Sequence, residues 1–115
     1  MPNDTAIPFD GATIGAGVTN IGGVFTLGPP GDYSIVVSME GSIAVPGPMR
    51  VQGFQNGVAV PRALFVAVTA GGETANFGGP FIITTIAVGE TLEIRNTTGI
   101  DVTLIESHVS IVRFA

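Results

Sequence analysis

Apolar and polar side chains alternate along much of this chain, and the alternation has a period of two. Tyr33, Ile35, Val37 and Met39 alternate with Ser34, Val36, Ser38 and Glu40, which places one apolar row on one side of an extended strand. Residues 41–44 continue that strand past a bulge, and Pro46-Gly47-Pro48 ends it. Residues 49–55 predict the next strand, running into Asn56-Gly57, a type I′ hairpin pair because both residues tolerate positive φ. Residues 58–60 are expected to pair back. Residues 63–69 are apolar almost without interruption, which predicts a strand buried on both faces, and a polar loop is expected over 70–79.

Beyond Pro80 the pattern predicts a strand over 81–88, a tight turn at Gly89-Glu90 that closes a second hairpin, and a strand in which Leu92 and Ile94 alternate with Glu93 and Arg95. Asn96-Thr97-Thr98-Gly99 then turns the chain into strands over 100–105 and 107–114. A terminal apolar strand is loose unless the fold ties it down, so the last one is expected inside a sheet. At the other end, residues 1–23 are rich in Gly, Thr and Asn around one apolar knot, Ile7-Pro8-Phe9. They predict a loose N-terminal edge strand and loop, leaving 24–115 as the core of a single domain. A short strand over 24–27 precedes the turn Gly28-Pro29-Pro30-Gly31. With 17 Gly and 8 Pro spread throughout and no 3.6-residue period, the fold class is all-β, with eight to ten strands in a sandwich, jelly roll or barrel.

Composition narrows the function classes. Charged residues make up 11% of the chain against a usual value of about 25%. Its four basic residues are all arginine, which provides no nucleic-acid footprint. The net charge of −5 comes from scattered acids and mostly serves solubility. Without cysteine there is no disulfide framework and no thiolate metal site. The longest uninterrupted apolar run, 63–68, is far shorter than the roughly 20 residues of a membrane helix, so no membrane insertion is expected. MPNDTAIPF lacks the marks of a secretory signal, which predicts another export route or a piece of a longer chain. A surface so poor in charge invites partners.

Candidate chemistry is sparse. His108 is the one histidine and has no paired His or Cys, so a sheet-face or subunit contact is expected instead of a ligand or relay role. The acids Asp4, Asp10, Asp32, Glu40, Glu73, Glu90, Glu93, Asp101 and Glu106 have no spacing that forces two together, and Asp32 and Glu90 are expected in turns. The glycine-rich stretches at 11–17 and 22–23 lack the helix and lysine of a phosphate cradle. Asn3-Asp4-Thr5 and Asn96-Thr97-Thr98 match the glycosylation sequon, the latter reading better as a turn. No catalytic, cofactor or metal residue is assigned, and no enzyme is supported.

Four stretches taken together resemble the tumour necrosis factor and complement component 1q superfamily. They are Phe25-Thr26-Leu27 with Pro30-Gly31-Asp32-Tyr33, the Asn56-Gly57 turn, Ile86-Ala87-Val88-Gly89-Glu90-Thr91-Leu92-Glu93-Ile94, and Ser110-Ile111-Val112-Arg113-Phe114. Within it, Leu92-Glu93-Ile94-Arg95-Asn96-Thr97-Thr98-Gly99 with Val102-Thr103-Leu104 and Val109-Ser110-Ile111-Val112-Arg113 is most similar to the C-terminal domains of bacterial collagen-like spore-surface (exosporium) glycoproteins. The resemblance covers residues 24–115. It implies a two-sheet antiparallel jelly roll of about ten strands that assembles as a homotrimer and caps a collagen-like stalk, at an extracellular, cell or spore surface. This sequence departs from it in having no Gly-X-Y repeat. Calcium occurs among such relatives, yet the D-x-D-x-D-G loop is missing here, and no cofactor is assigned.

Two readings of function follow. One is a structural trimerisation head whose partner is itself, with Tyr33, Leu92, Ile94, His108, Ile111, Arg113 and Phe114 expected at the subunit contact; a phage fibre head is a variant of it. The other is a recognition module that binds a glycan, a receptor or a coat protein through loops carrying Glu73, Asn76, Thr97, Thr98 and Asp101.

Overall fold

In the computed structural model, which describes residues 2–15 and 17–115, the described residues form strands and turns with no helix among them. The strands are β1 (Gly11–Ile14), β2 (Thr19–Ile21), β3 (Val24–Thr26), β4 (Gly31–Ser42), β5 (Gly47–Gln55), β6 (Val58–Thr69), β7 (Ala75–Thr85), β8 (Thr91–Asn96) and β9 (Thr103–Arg113). They make two sheets, ordered β1-β9-β4-β7 and β2-β3-β8-β5-β6. All pairs are antiparallel except β1 with β9. The inward rows of both sheets interdigitate as in other sandwiches, and Phe65 of one sheet meets Phe81 of the other at 6.0 Å between ring centres.

The predicted β4 alternation is realised, with Tyr33, Ile35, Val37 and Met39 all buried. The bulge lies between Glu40 and Gly41, where the partner strand skips from Glu106 to Leu104. Ile105 is therefore the extra residue on β9, and Ile105 and Glu106 are both exposed in succession. That break in alternation imitates a strand boundary, so the two strands expected over 100–105 and 107–114 are one. β9 lies between β1 and β4, a central position.

Asn56 and Gly57 take φ values of 51° and 78° at the β5–β6 turn. β6 then runs on through Pro61, which a sheet-edge strand tolerates, opposite the register shift between Gln52 and Phe54. Residues 63–69 are buried on one face only: Ala63 and Phe65 face the core, while Leu64, Val66 and Val68 are exposed. The expectation of two buried faces thus fails within one chain. Only residues 70–74 of the expected polar loop are loop, because β7 begins at Ala75. The Gly89-Glu90 turn does not close a hairpin. β7 and β8 belong to different sheets, so this turn is an arch between them.

The edge position expected for the N-terminal segment holds for β1 and β2, but the described part of that segment is not loose. Asp4 N donates to Asn96 O at 2.7 Å, Asn96 N to Thr5 O at 3.1 Å and Ile7 N to Ile94 O at 2.8 Å. Residues 4–7 thereby pair along β8 beyond β3, and β1 then pairs with β9 in the other sheet. Ile7, Phe9 and Val18 join the main core, with Phe9 and Phe25 ring centres 6.2 Å apart.

Candidate interaction face

Because side chains alternate along a strand, burying Tyr33, Ile35, Val37, Val109, Ile111, Phe81 and Ile83 turns their neighbours outward. The outer face of the four-stranded sheet is built from those neighbours. Val36 lies opposite Pro80 of β7 and Ser110 of β9, and Ser34 lies opposite Ile82 and Val112. Val36, Ile82 and Val112 are 45%, 55% and 49% exposed, giving an aliphatic patch that spans three adjacent strands. Asp32 closes one end of it, accepting a hydrogen bond from Thr84 Oγ1 at 2.6 Å.

The other end of the face is polar. Glu40 faces Glu106 across the β4–β9 pair and Asn76 across the β4–β7 pair, while His108 faces Ser38 and Gly11. Thr13 Oγ1 lies 3.4 Å from His108 Nε2. Asp10, Ser38, Glu40, Asn76, Glu106 and His108 line a groove of about 430 Å³. Among the described residues no group of three or more His, Cys, Asp or Glu is placed to hold a metal ion.

Of the residues expected at a subunit contact, Tyr33, Leu92, Ile94 and Ile111 are buried in the sandwich of a single chain and cannot form its surface. The Tyr33 hydroxyl donates to Pro29 O at 2.5 Å, fixing that ring inside. His108 is exposed on the outer face, and Phe114 is exposed beyond the end of β9. Arg113 sits at the sandwich end, its Nε donating to Pro30 O at 3.0 Å. Alternation identified two rows in each strand, and the expected contact drew on both; these four belong to the row that faces the core. Val36, Ile82 and Val112 are the surface residues missed, although they are the alternate members of the same strands.

The expected recognition residues lie mainly at one end of the sandwich. Glu73 is in the β6–β7 loop, and Thr97, Thr98 and Asp101 are in the β8–β9 loop. Asn76 is not in a loop but in β7, opposite Glu40. Thr98 is committed to structure: its Oγ1 accepts from Arg50 N at 2.8 Å and donates to Arg50 O at 3.1 Å. Asn96 is fully buried and its side chain donates to Ile100 O at 3.0 Å, which removes that sequon from the surface. Pro2 lies at this same end, its carbonyl oxygen 3.3 Å from Asn96 Nδ2.

At the opposite end Glu90 organises two turns. One carboxylate oxygen accepts from Ile86 N at 2.6 Å and Ala87 N at 3.0 Å; the other accepts from Asn56 Nδ2 at 2.8 Å and Gln55 Nε2 at 3.1 Å. The Ala87 and Ile86 amides, then the Asn56 side chain, hold its pKa at about 2 against an ordinary 4.5. This clamp fixes an arch whose Ile86 and Val88 are 89% and 75% exposed.

Two solved structures share this architecture. The globular domain of zebrafish complement 1qA matches with a TM-score of 0.55 and 13% identity over 99% of this chain and 100% of that one. The crystal structure of rabbit GITRL matches with a TM-score of 0.50 and 17% identity over 85% of this chain and 77% of that one. The fold is the tumour necrosis factor and complement 1q jelly roll. This confirms the fold expected from the motifs, formed here by nine strands among the described residues. No family model matches the sequence, and no curated protein sequence matches it.

Proposed function

We propose that this chain is a non-enzymatic, self-associating head, a homotrimer that presents a surface protein outside the cell. The observation that carries this reading is the aliphatic patch of Val36, Ile82 and Val112 on a sheet face that none of the described residues covers. A second uncharged row, Leu64, Val66 and Val68, runs along the edge strand β6. A two-fold contact would bury the same patch on both subunits, whereas two different apolar surfaces on one chain suit a face-to-edge contact that closes as a ring. Such a contact also accounts for the missing alternation over residues 63–69. The number three, the spore-surface setting and the capping of a collagen-like stalk come from the motif resemblance. The low charge of the chain fits a large permanent interface.

Val112→Glu tests the face. A carboxylate at the centre of a closed apolar contact should weaken association at least about a hundredfold, the scale of burying an unpaired charge. It should leave the far-ultraviolet spectrum intact, because Val112 lies outside the core. Unchanged association would remove this face from the interface.

A further inference from the structure

Asn56-Gly57 is the one Asn-Gly step in the sequence, and it lies exposed at the β5–β6 turn. Such a step is chemically labile, since glycine has no side chain to keep its backbone nitrogen from the preceding amide carbon. Here the amide is pinned from both sides by a different connection. Asn56 Oδ1 accepts from Thr91 N at 2.9 Å, and Nδ2 donates to Glu90 Oε1 at 2.8 Å. The backbone is held as well, with Asn56 N donating to Thr91 O at 2.9 Å. To bring its Cγ onto Gly57 N, the side chain must first leave both partners.

We propose that Asn56 is a deamidation site kept closed by Glu90, and that its conversion irreversibly unlatches the β5–β6 turn from the β7–β8 arch. In the conversion Gly57 N attacks Cγ of Asn56; the N–Cγ bond forms, the Cγ–Nδ2 bond breaks, and ammonia leaves with the proton from Gly57 N. Water then opens the cyclic imide at either carbonyl, giving aspartate or isoaspartate. The product replaces a donor by a carboxylate at hydrogen-bond distance from Glu90. Two carboxylates so placed resist ionising together, so the original clamp cannot re-form at neutral pH. The arch that loses this tie keeps its backbone bonds to Leu27 and carries the exposed Ile86 and Val88. This inference is independent of the self-association reading.

The test follows residues 51–62, a tryptic peptide whose one asparagine is Asn56, by mass spectrometry during incubation at mildly alkaline pH. Conversion in the folded protein should run at least about tenfold slower than in the urea-unfolded chain, the population factor of roughly one lost charge-assisted hydrogen bond. Folded Glu90→Gln should recover much of that difference. Asn56→Asp should melt below wild type at neutral pH, with the gap closing as acid protonates the carboxylates. Equal rates in folded and unfolded wild type would overturn the proposal, as would an Asn56→Asp protein that melts like wild type at every pH. The folded-against-unfolded comparison needs no variant, so it decides the matter even if Glu90→Gln does not fold.

Discussion

The carboxylate of Glu90 accepts a hydrogen bond from the side-chain amide of Asn56 at 2.8 Å, tying the β5–β6 hairpin turn to the arch that crosses between the sheets. Backbone hydrogen bonds join the arch to Leu27 and the hairpin turn to Thr91, and the Glu90 carboxylate adds the side-chain contacts between the two turns. That carboxylate gives this end a pH signature.

In the folded chain the Glu90 pKa lies at about 2, below its ordinary 4.5, so the folded state binds the proton less readily than the unfolded state. Its stabilising contribution is complete above 4.5 and disappears as pH falls through about 2. Thermal unfolding of Glu90→Gln beside wild type should show a constant deficit at neutral pH that shrinks across this window. A deficit that persists unchanged in strong acid would contradict the clamp.

Ile7 tests whether the N-terminal segment is structural. Its side chain is fully buried against the main core, so Ile7→Ala should lower unfolding free energy by about 2–4 kcal/mol in chemical denaturation. A loose segment would give almost no change.

Gly78 holds a φ of 143°, and a Cβ there would overlap the carbonyl oxygen of Val37 on the neighbouring strand. Gly78→Ala should therefore destabilise by roughly 3 kcal/mol through strain in the β4–β7 ladder. Gly57→Ala meets no neighbour, and its φ of 78° should cost only about 1 kcal/mol. Equal melting temperatures for the two variants would refute this ranking.

Much of this fold was legible in the sequence because strands advertise themselves by alternation. The β4 row and the Asn56-Gly57 turn appear as their residue types require. Sheet membership was not legible. Gly89-Glu90 looks the same whether it closes a hairpin or arches between sheets, and only pairing with β3 and β5 places β8 in the sheet opposite β7. Alternation likewise separates Ile111 from Val112 without stating which faces inward, and that choice decides which residues can meet a partner. Ile7-Pro8-Phe9 stood out as an apolar knot, but its neighbours are long-range ones on β3 and β8, which local composition does not encode.

The uncovered face of β4, β7 and β9 is the centre of the account, and solution mass addresses it most directly. Light scattering at micromolar concentration should return three times the chain mass of 11.7 kDa, falling to a single chain for Val112→Glu. A wild-type mass of one chain would contradict self-association.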